Sequence, residues 1–511
     1  MRARNGGSMQ WPEHIFGPRP GLKELNVLCW SLLIGCIVAP VSFSIWVQLR
    51  NGASFFSRPV DFVYFYGTGS IAAEHSICDV YNFSLQLEEF NKILPLQDGS
   101  YGPSPYPPFV PLFFSQFARM SFNYAYTVWV CLSVLLYAAG LALALRDFFP
   151  GRALEQSLIV CFALSYYPFL FSTFFNGQLS CVGFIATVIA LSKEERNQPF
   201  QSGLALAVLA YKPTLLLLLI PMLLVTRRFR IFMGFIAGTI GLICLSSLIA
   251  GPLVWTAYLR FLNSFAHVSG LYGQSSLRLW QFNDLNSFSC AVAGGRTPGG
   301  LLILAFVSVI AIVYLAVLLW RSANGDRPEL RLAWATTLTW SMLLNVYYPI
   351  YDTILIAVSI MLSIAAARDL NCSRCARGVT SLALLVFGTS WITESVAKAY
   401  GVQLLTLSIL SLGIMQMFLL HLATDRRGSG LLSSLPRHTS RSRDTLACGL
   451  RGCWGVVTEV TSSHSPTSFV VSTSLYHWLL MKRSAPTQCT TLAQNAEHQS
   501  LTGTLPRNWR I

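Results

Sequence analysis

The run LALAVLAYKPTLLLLLIPMLLV, Leu204 to Val225, has one charged residue, Lys212, in 22 positions. About 20 mostly apolar residues in helical geometry match the roughly 30 Å hydrocarbon core of a bilayer. The run therefore reads as a membrane-crossing helix, and Val27 to Val47 reads the same way. Working outward by hydropathy and breaker residues gives about twelve candidate spans. They are 26–48, 107–119, 123–146, 156–175, 178–192, 200–225, 231–250, 299–320, 332–349, 352–368, 378–396 and 402–424. The expected fold is an all-α polytopic membrane protein.

Composition agrees. The 511 residues are 53% hydrophobic and 11% charged, with a mean hydropathy of +0.52, whereas soluble domains carry about 25% charged residues. The net charge of +14 suggests nucleic acid at first sight. The Lys and Arg residues, however, gather in short runs at the ends of apolar segments, which is a topology signal. Arg227, Arg228 and Arg230, then Arg321, Arg327 and Arg331, then Arg368, Arg374 and Arg377, and finally Arg426 and Arg427 fall on one side if the N-terminus is cytoplasmic. Both termini are then inside, and two long loops, 49–106 and 251–298, lie outside. Residues 1–25 read as a cytoplasmic leader before a retained first helix, since no small-residue cleavage site follows the first apolar run. From 425 to 511 the chain turns to Ser, Thr, Arg, Gly and Pro and reads as a disordered cytoplasmic tail.

Strict alternation of spans puts Asn176-Gly177-Gln178 on the cytoplasmic side, as a tight hairpin or a break in a helix. Irregular backbone at that depth must be buried in protein or line a wet cavity.

The residues that carry chemistry concentrate around the first long loop. Asp61 stands in Arg58-Pro-Val-Asp-Phe-Val-Tyr64-Phe-Tyr66, and Tyr106-Pro107-Pro108 leads into the next span. An acid at headgroup depth can accept a proton from a reacting hydroxyl. On composition alone, an interfacial aromatic belt beside a solvated acid is the favoured reading. Lys212 has two readings as well. An ionisable residue inside an apolar span is a functional-site hypothesis by default, and it is equally a lysine paired with a buried polar group to join two helices.

The order of Asp61 in Asp-Phe-Val-Tyr-Phe-Tyr, Tyr106-Pro-Pro, Asn176-Gly-Gln178, Tyr211-Lys212-Pro213 and Tyr351-Asp352 resembles glycosyltransferase family 87 over roughly residues 26–424. That resemblance implies a GT-C-type bundle and a hexosyltransferase of the polyprenol-phosphate-mannose-dependent alpha-1,2-mannosyltransferase kind. A hexose, with mannose expected, would pass from a polyprenyl-phosphate donor to a glycan or glycolipid acceptor on the outer face of a bacterial plasma membrane. It further implies Asp61 as general base with inversion at the sugar carbon. Tyr64, Tyr106, Lys212, Tyr351, Asp352, Asn286 and Gln178 are the candidate substrate-binding residues. Lys212 is the candidate partner of the leaving phosphate. The turn before Tyr351-Asp352 carries tyrosines where the family often has a histidine. Asn286-Ser287 reads more simply as a loop cap, and Gln178 is the weakest candidate because of its expected side.

No cofactor or metal is expected. Cys372-Ser-Arg-Cys375 supplies two of the four ligands that a structural zinc needs, so it reads as two thiols. Cys78 and Cys290, both in external loops, are candidates for a disulfide. Two other readings share these features. A secondary transporter also uses many spans and intramembrane charge, although it is expected to carry matched broken helices. A non-catalytic subunit of envelope polysaccharide assembly would tolerate loss of Asp61.

Overall fold

A computed structural model describes residues 60–95, 101–271 and 279–433, with scattered residues between 27 and 38. The leader 1–25, most of the first span, parts of both long loops and the tail beyond 433 lie outside the described residues. Among the described residues the structure is helical, with one isolated bridge, Phe282 to Pro349, and no strand. A helix satisfies its own backbone polar groups, as a chain in hydrocarbon must.

The helices are α1 Val60–Glu74, α2 Phe83–Ile93, α3 Phe109–Phe114, α4 Phe122–Phe148, α5 Ala153–Leu164, α6 Ser180–Glu195, α7 Pro199–Ala207 and α8 Leu219–Val225. They continue with α9 Phe229–Ala250, α10 Leu253–Leu271, α11 Leu285–Ala293, α12 Pro298–Arg321, α13 Arg327–Leu343, α14 Leu355–Asp369, α15 Ser373–Tyr400 and α16 Leu404–Ser433. Six stretches are long and apolar enough to cross a membrane: α4, α9, α12, Ile350–Asp369, α15 and Leu404–Asp425. A pair bent by 49°, Glu155–Leu164 with Pro168–Phe175, makes up to seven. The expected count of about twelve is not confirmed by this number, which counts only long apolar helices among the described residues. The runs at 178–192 and 332–349 are the 16-residue α6 and the 17-residue α13.

Ion pairs gather one end of the bundle. Arg196 donates to both oxygens of Asp147 at 2.9 Å, and Arg331 reaches Glu195 at 2.6 Å and Asp369 at 2.8 Å. Arg368 meets Glu155 at 2.6 Å, and Arg228 pairs with Glu194. The C-terminal ends of α4, α6 and α14 thus meet the N-terminal ends of α5, α9 and α13. At the other end, Phe62 of α1 packs on Phe122 and Tyr126 at the start of α4, with ring centroids 5.6 and 5.5 Å apart.

This arrangement corrects the reading of 200–225, which is a hairpin and not a span. Its entry is fixed where Lys193 donates to Gln198 at 3.0 Å, and its exit where Arg228 meets Glu194. Each limb, Pro199–Tyr211 and Pro213–Val225, is at most about 20 Å long at helical rise, short of a bilayer core. The tip is Lys212, with φ −139° and ψ 86° between two short 3-10 turns. A residue before proline is driven out of the helical region, so Lys212-Pro213 forces the reversal.

The run 107–119 is likewise no span. It holds only the six-residue α3 and a 3-10 turn, Phe117–Arg119, packed on α1 through Phe65 and Phe114, whose rings stack at 5.2 Å. Two non-crossing segments leave the parity of the later spans unchanged. The segment between them is inverted, so Asn176-Gly177-Gln178 turns at the Asp61 end. Gly177 has φ +75°, the left-handed region that glycine enters without penalty. Its carbonyl accepts from Trp129 at 2.7 Å.

Packing follows membrane rules. The first limb of the hairpin lies against α9 where a Cβ on Gly203 would collide with the Ile231 carbonyl oxygen. Gly234 and Gly238 supply the small-residue spacing that allows such backbone approach. Inside, α13, α14 and α16 are joined by hydroxyls and amides: Thr339 to Ser359 at 2.7 Å, and Gln416 to Ser359 and Ser363 at 2.8 and 3.0 Å. Outside, α9 and α12 leave Leu248, Leu302, Ile303 and Phe306 exposed, as lipid-facing helices do.

Two cysteine readings change. Cys372 and Cys375 form a disulfide, because the cap and third residue of α15 bring their Cα atoms to 5.2 Å. Cys78 and Cys290 are free thiols. Cys78 packs with the group around Tyr81 and Tyr258, while Cys290 is buried on α11.

Candidate active site

Asp61 lies in the first turn of α1, where the helix N-terminus favours a carboxylate. It is half-buried, with Phe62 fully buried behind it against Gly177. The Gln178 side chain hydrogen-bonds the Asp61 carboxylate, and Lys212 adds a positive charge nearby. Burial outweighs both and pushes the Asp61 pKa up to about 6. A carboxyl so tuned is a stronger base than an ordinary aspartate and still mostly ionised at neutral pH.

Asp352 is 2% exposed, in the 3-10 turn Ile350–Ile354. One oxygen accepts from Ser180 at 3.0 Å, and the other pairs with Lys212. The Lys212 ammonium also stands 4.7 Å from the centroid of the Tyr351 ring. The structural reading of Lys212, an ion pair joining two segments, is therefore met. The ammonium keeps further N–H donors and a partly exposed side chain. Asn345 donates to the Thr214 carbonyl at 2.8 Å and fastens the hairpin tip to the end of α13.

Tyr106 completes the group. Its ring lies 5.1 Å from Phe65. Burial, with the charges of Asp352 and Asp61, holds its hydroxyl far above the usual phenol range. Tyr64 packs on Phe90 and Tyr101 at 5.1 and 5.6 Å, and its hydroxyl accepts from Gly102 N at 3.1 Å. It tethers residues 101–102 to α1 while lying near Tyr106.

Asn286 sits apart from this network, in the first turn of α11, with a buried amide nitrogen that has no hydrogen-bond partner among the described residues. The cap of α11 is Asp284, which accepts from Ser287 N at 2.7 Å and Ser287 Oγ at 2.9 Å. The same carboxylate accepts from Tyr348 N at 2.7 Å, and Asn283 N donates to the Tyr348 carbonyl at 2.8 Å. The second long loop thereby clamps the turn leading to Asp352, in which Tyr347 holds φ +58°, a strained value for a bulky residue. Tyr348 in turn donates to the Asp352 carbonyl at 3.0 Å.

Five sequence candidates thus converge, Asp61, Gln178, Lys212, Asp352 and Tyr351, with Tyr106 beside them. Gln178 is corrected most: it stands at Asp61 because its turn lies at the opposite end from the expected one. Sequence reasoning missed Ser180, Tyr348 and Asp284. Only Asp284 has a clear sequence signal, an acid three residues before a serine at a helix start.

No curated protein and no solved structure matches the chain. A family model matches residues 105–346, a segment that includes Tyr106, Gln178, Lys212 and Asn286 and stops short of Asp61 and Asp352. That family is glycosyltransferase family 87, the one the sequence motifs resemble, and the match, over somewhat less than half of the chain, together with the apolar helices supports a membrane glycosyltransferase.

Proposed function

We propose that the protein transfers a hexose, mannose by the family resemblance, from a polyprenyl phosphate to a glycan or glycolipid acceptor at the outer face of a bacterial plasma membrane. The observation that carries this reading is the meeting of Asp61, Gln178, Lys212 and Asp352 from four separate segments in one half-buried site. Asp61 takes the proton of the acceptor hydroxyl as that oxygen attacks the anomeric carbon. The bond from that carbon to the phosphate oxygen breaks on the opposite face, and the product is inverted. The leaving phosphate keeps the electron pair and needs a cation more than an acid. Lys212 supplies it, held in place by Asp352 and Ser180. Tyr106 and Tyr351 offer aromatic walls and hydroxyls to the sugar.

An outward orientation of the site is supported by the basic runs, which collect at the opposite end, since Lys and Arg in short loops favour the cytoplasmic side. The test is purified protein incubated with labelled polyprenyl-phosphate-mannose and membrane lipids. Transfer of label by the native protein, and none by folded Asp61→Asn, is the expected result. Full transfer by Asp61→Asn would overturn the mechanism.

A further inference from the structure

Helices α5, α14 and α15 enclose an apolar cavity of about 250 Å³, lined by side chains such as Leu158, Phe162, Ile360, Ile364, Ala383 and Phe387. One end is charged. Glu155 and Arg368 are part of the lining there, and Arg152 also meets Glu155, at 3.4 Å. On α15, exposed Arg377 lies one helical turn before Thr380, the lining residue nearest that end. Arg152 and Arg368 thus share one carboxylate, Arg377 adds an exposed cation one helical turn from the lining, and the neighbouring Asp369 is taken by Arg331. The other end closes at Tyr166, whose hydroxyl meets Thr353 Oγ1 at 3.4 Å.

We propose that this groove binds an anionic phospholipid, with its headgroup at Arg152, Arg368 and Arg377 and an acyl chain running toward Tyr166. Two observations select that occupant. From Glu155 to Tyr166 the groove is about 15 Å long at helical rise, half of a roughly 30 Å core and so the depth of one leaflet. Its charged end coincides with the basic runs, where a cytoplasmic-leaflet lipid presents its phosphate. A sugar donor engaged at Lys212 would have its phosphate at the opposite end, over Asp352. The lipid site is therefore separate from the transfer site, and it rests on the orientation of the bundle and not on the transfer chemistry.

Native mass spectrometry of the purified full chain, titrated with phosphatidylglycerol and phosphatidylcholine, tests the proposal. Phosphatidylglycerol is expected to be retained in preference. Arg152→Gln and Arg377→Gln, both at exposed positions, are each expected to weaken its binding roughly fivefold. Ala383→Trp fills the groove and abolishes retention, with a melting curve showing that the variant is folded. Equal retention of the two lipids, insensitivity to both arginine variants, or unchanged binding in folded Ala383→Trp overturns the assignment. Displacement of phosphatidylglycerol by polyprenyl phosphate, with both lost in Ala383→Trp, overturns it too and gives the groove to the donor chain.

Discussion

Lys212 and Asp352, 140 residues apart in sequence, are ion-paired at the tip of a hairpin that enters and leaves the bundle at the same end. Neither residue is positioned by its own helix. Lys212 interrupts the hairpin between two 3-10 turns, and Asp352 lies in the 3-10 turn before α14. Each is held by the other and by Ser180 and Asn345 across the bundle.

Removing one partner of such a pair strands the other. Lys212→Met leaves the Asp352 carboxylate buried without a counter-charge, which costs about 3–5 kcal/mol. The double variant Lys212→Met with Asp352→Asn removes that charge and is expected to recover most of the lost melting temperature in detergent. It should not recover sugar transfer, because the cation is gone. Recovery of both would show that the pair acts only as a strut.

The pH dependence expected for the proposed transfer follows from the proposed role of Asp61. Its pKa is raised to about 6, so kcat/KM is expected to rise with pH and level off above that value, as the base loses its proton. The Gln178 hydrogen bond favours the charged form, so Gln178→Leu moves the midpoint to higher pH. Stability runs the other way. A carboxyl with a folded pKa above its unfolded one binds its proton more tightly when folded, so stability falls as pH rises from about 4 to 6. Asp61→Asn should therefore melt no lower than the native protein at neutral pH while losing transfer. A midpoint unmoved by Gln178→Leu would remove Gln178 from the site.

Much of this was legible from residue types and much was not, for a definite reason. Apolar length identifies the helical membrane class, and the motifs single out Asp61, Lys212 and Asp352. Hydropathy, however, does not distinguish a run that crosses from one that turns back. The 22 residues from Leu204 to Val225 are apolar enough to span, and only Lys212-Pro213 hints at the reversal. Counting 107–119 and 200–225 as crossings makes two errors that cancel for the basic runs and persist between them. That is why the four arginine clusters fit one side while Gln178 was expected on the wrong one. The clamp by Asp284 depends on contact across 64 residues, which no local pattern encodes.

The close crossing of α7 on α9 depends on the absence of side chains. Gly203→Leu drives a side chain into the Ile231 carbonyl and the backbone around Gly234. Overpacking of this kind costs about 1–3 kcal/mol. Because the hairpin carries Lys212, a drop in melting temperature should come with a disproportionate loss of kcat. Gly241→Leu on the same helix α9, where nothing lies within 4 Å, is the control and should leave both near native. Equal tolerance at the two positions would contradict the packing.

The inverted segment gives the last prediction. Strict alternation from the first span would put 147–155 outside the cell, whereas in the structure Asp147 and Glu155 pair with Arg196 and Arg368 at the end that carries the basic runs. Reporter fusions separate the two. Green fluorescent protein joined after Gly151 folds and fluoresces only in the cytoplasm, and alkaline phosphatase is active only outside. Fusions after Gly151 and after Asn197 should fluoresce and lack phosphatase activity, and a fusion after Gly177 should do the reverse. The residues on either side of Asn176-Gly177-Gln178 would then run from the cytoplasmic end to the Asp61 end and back. An active phosphatase after Gly151 would restore the alternating topology and carry Gln178 away from Asp61.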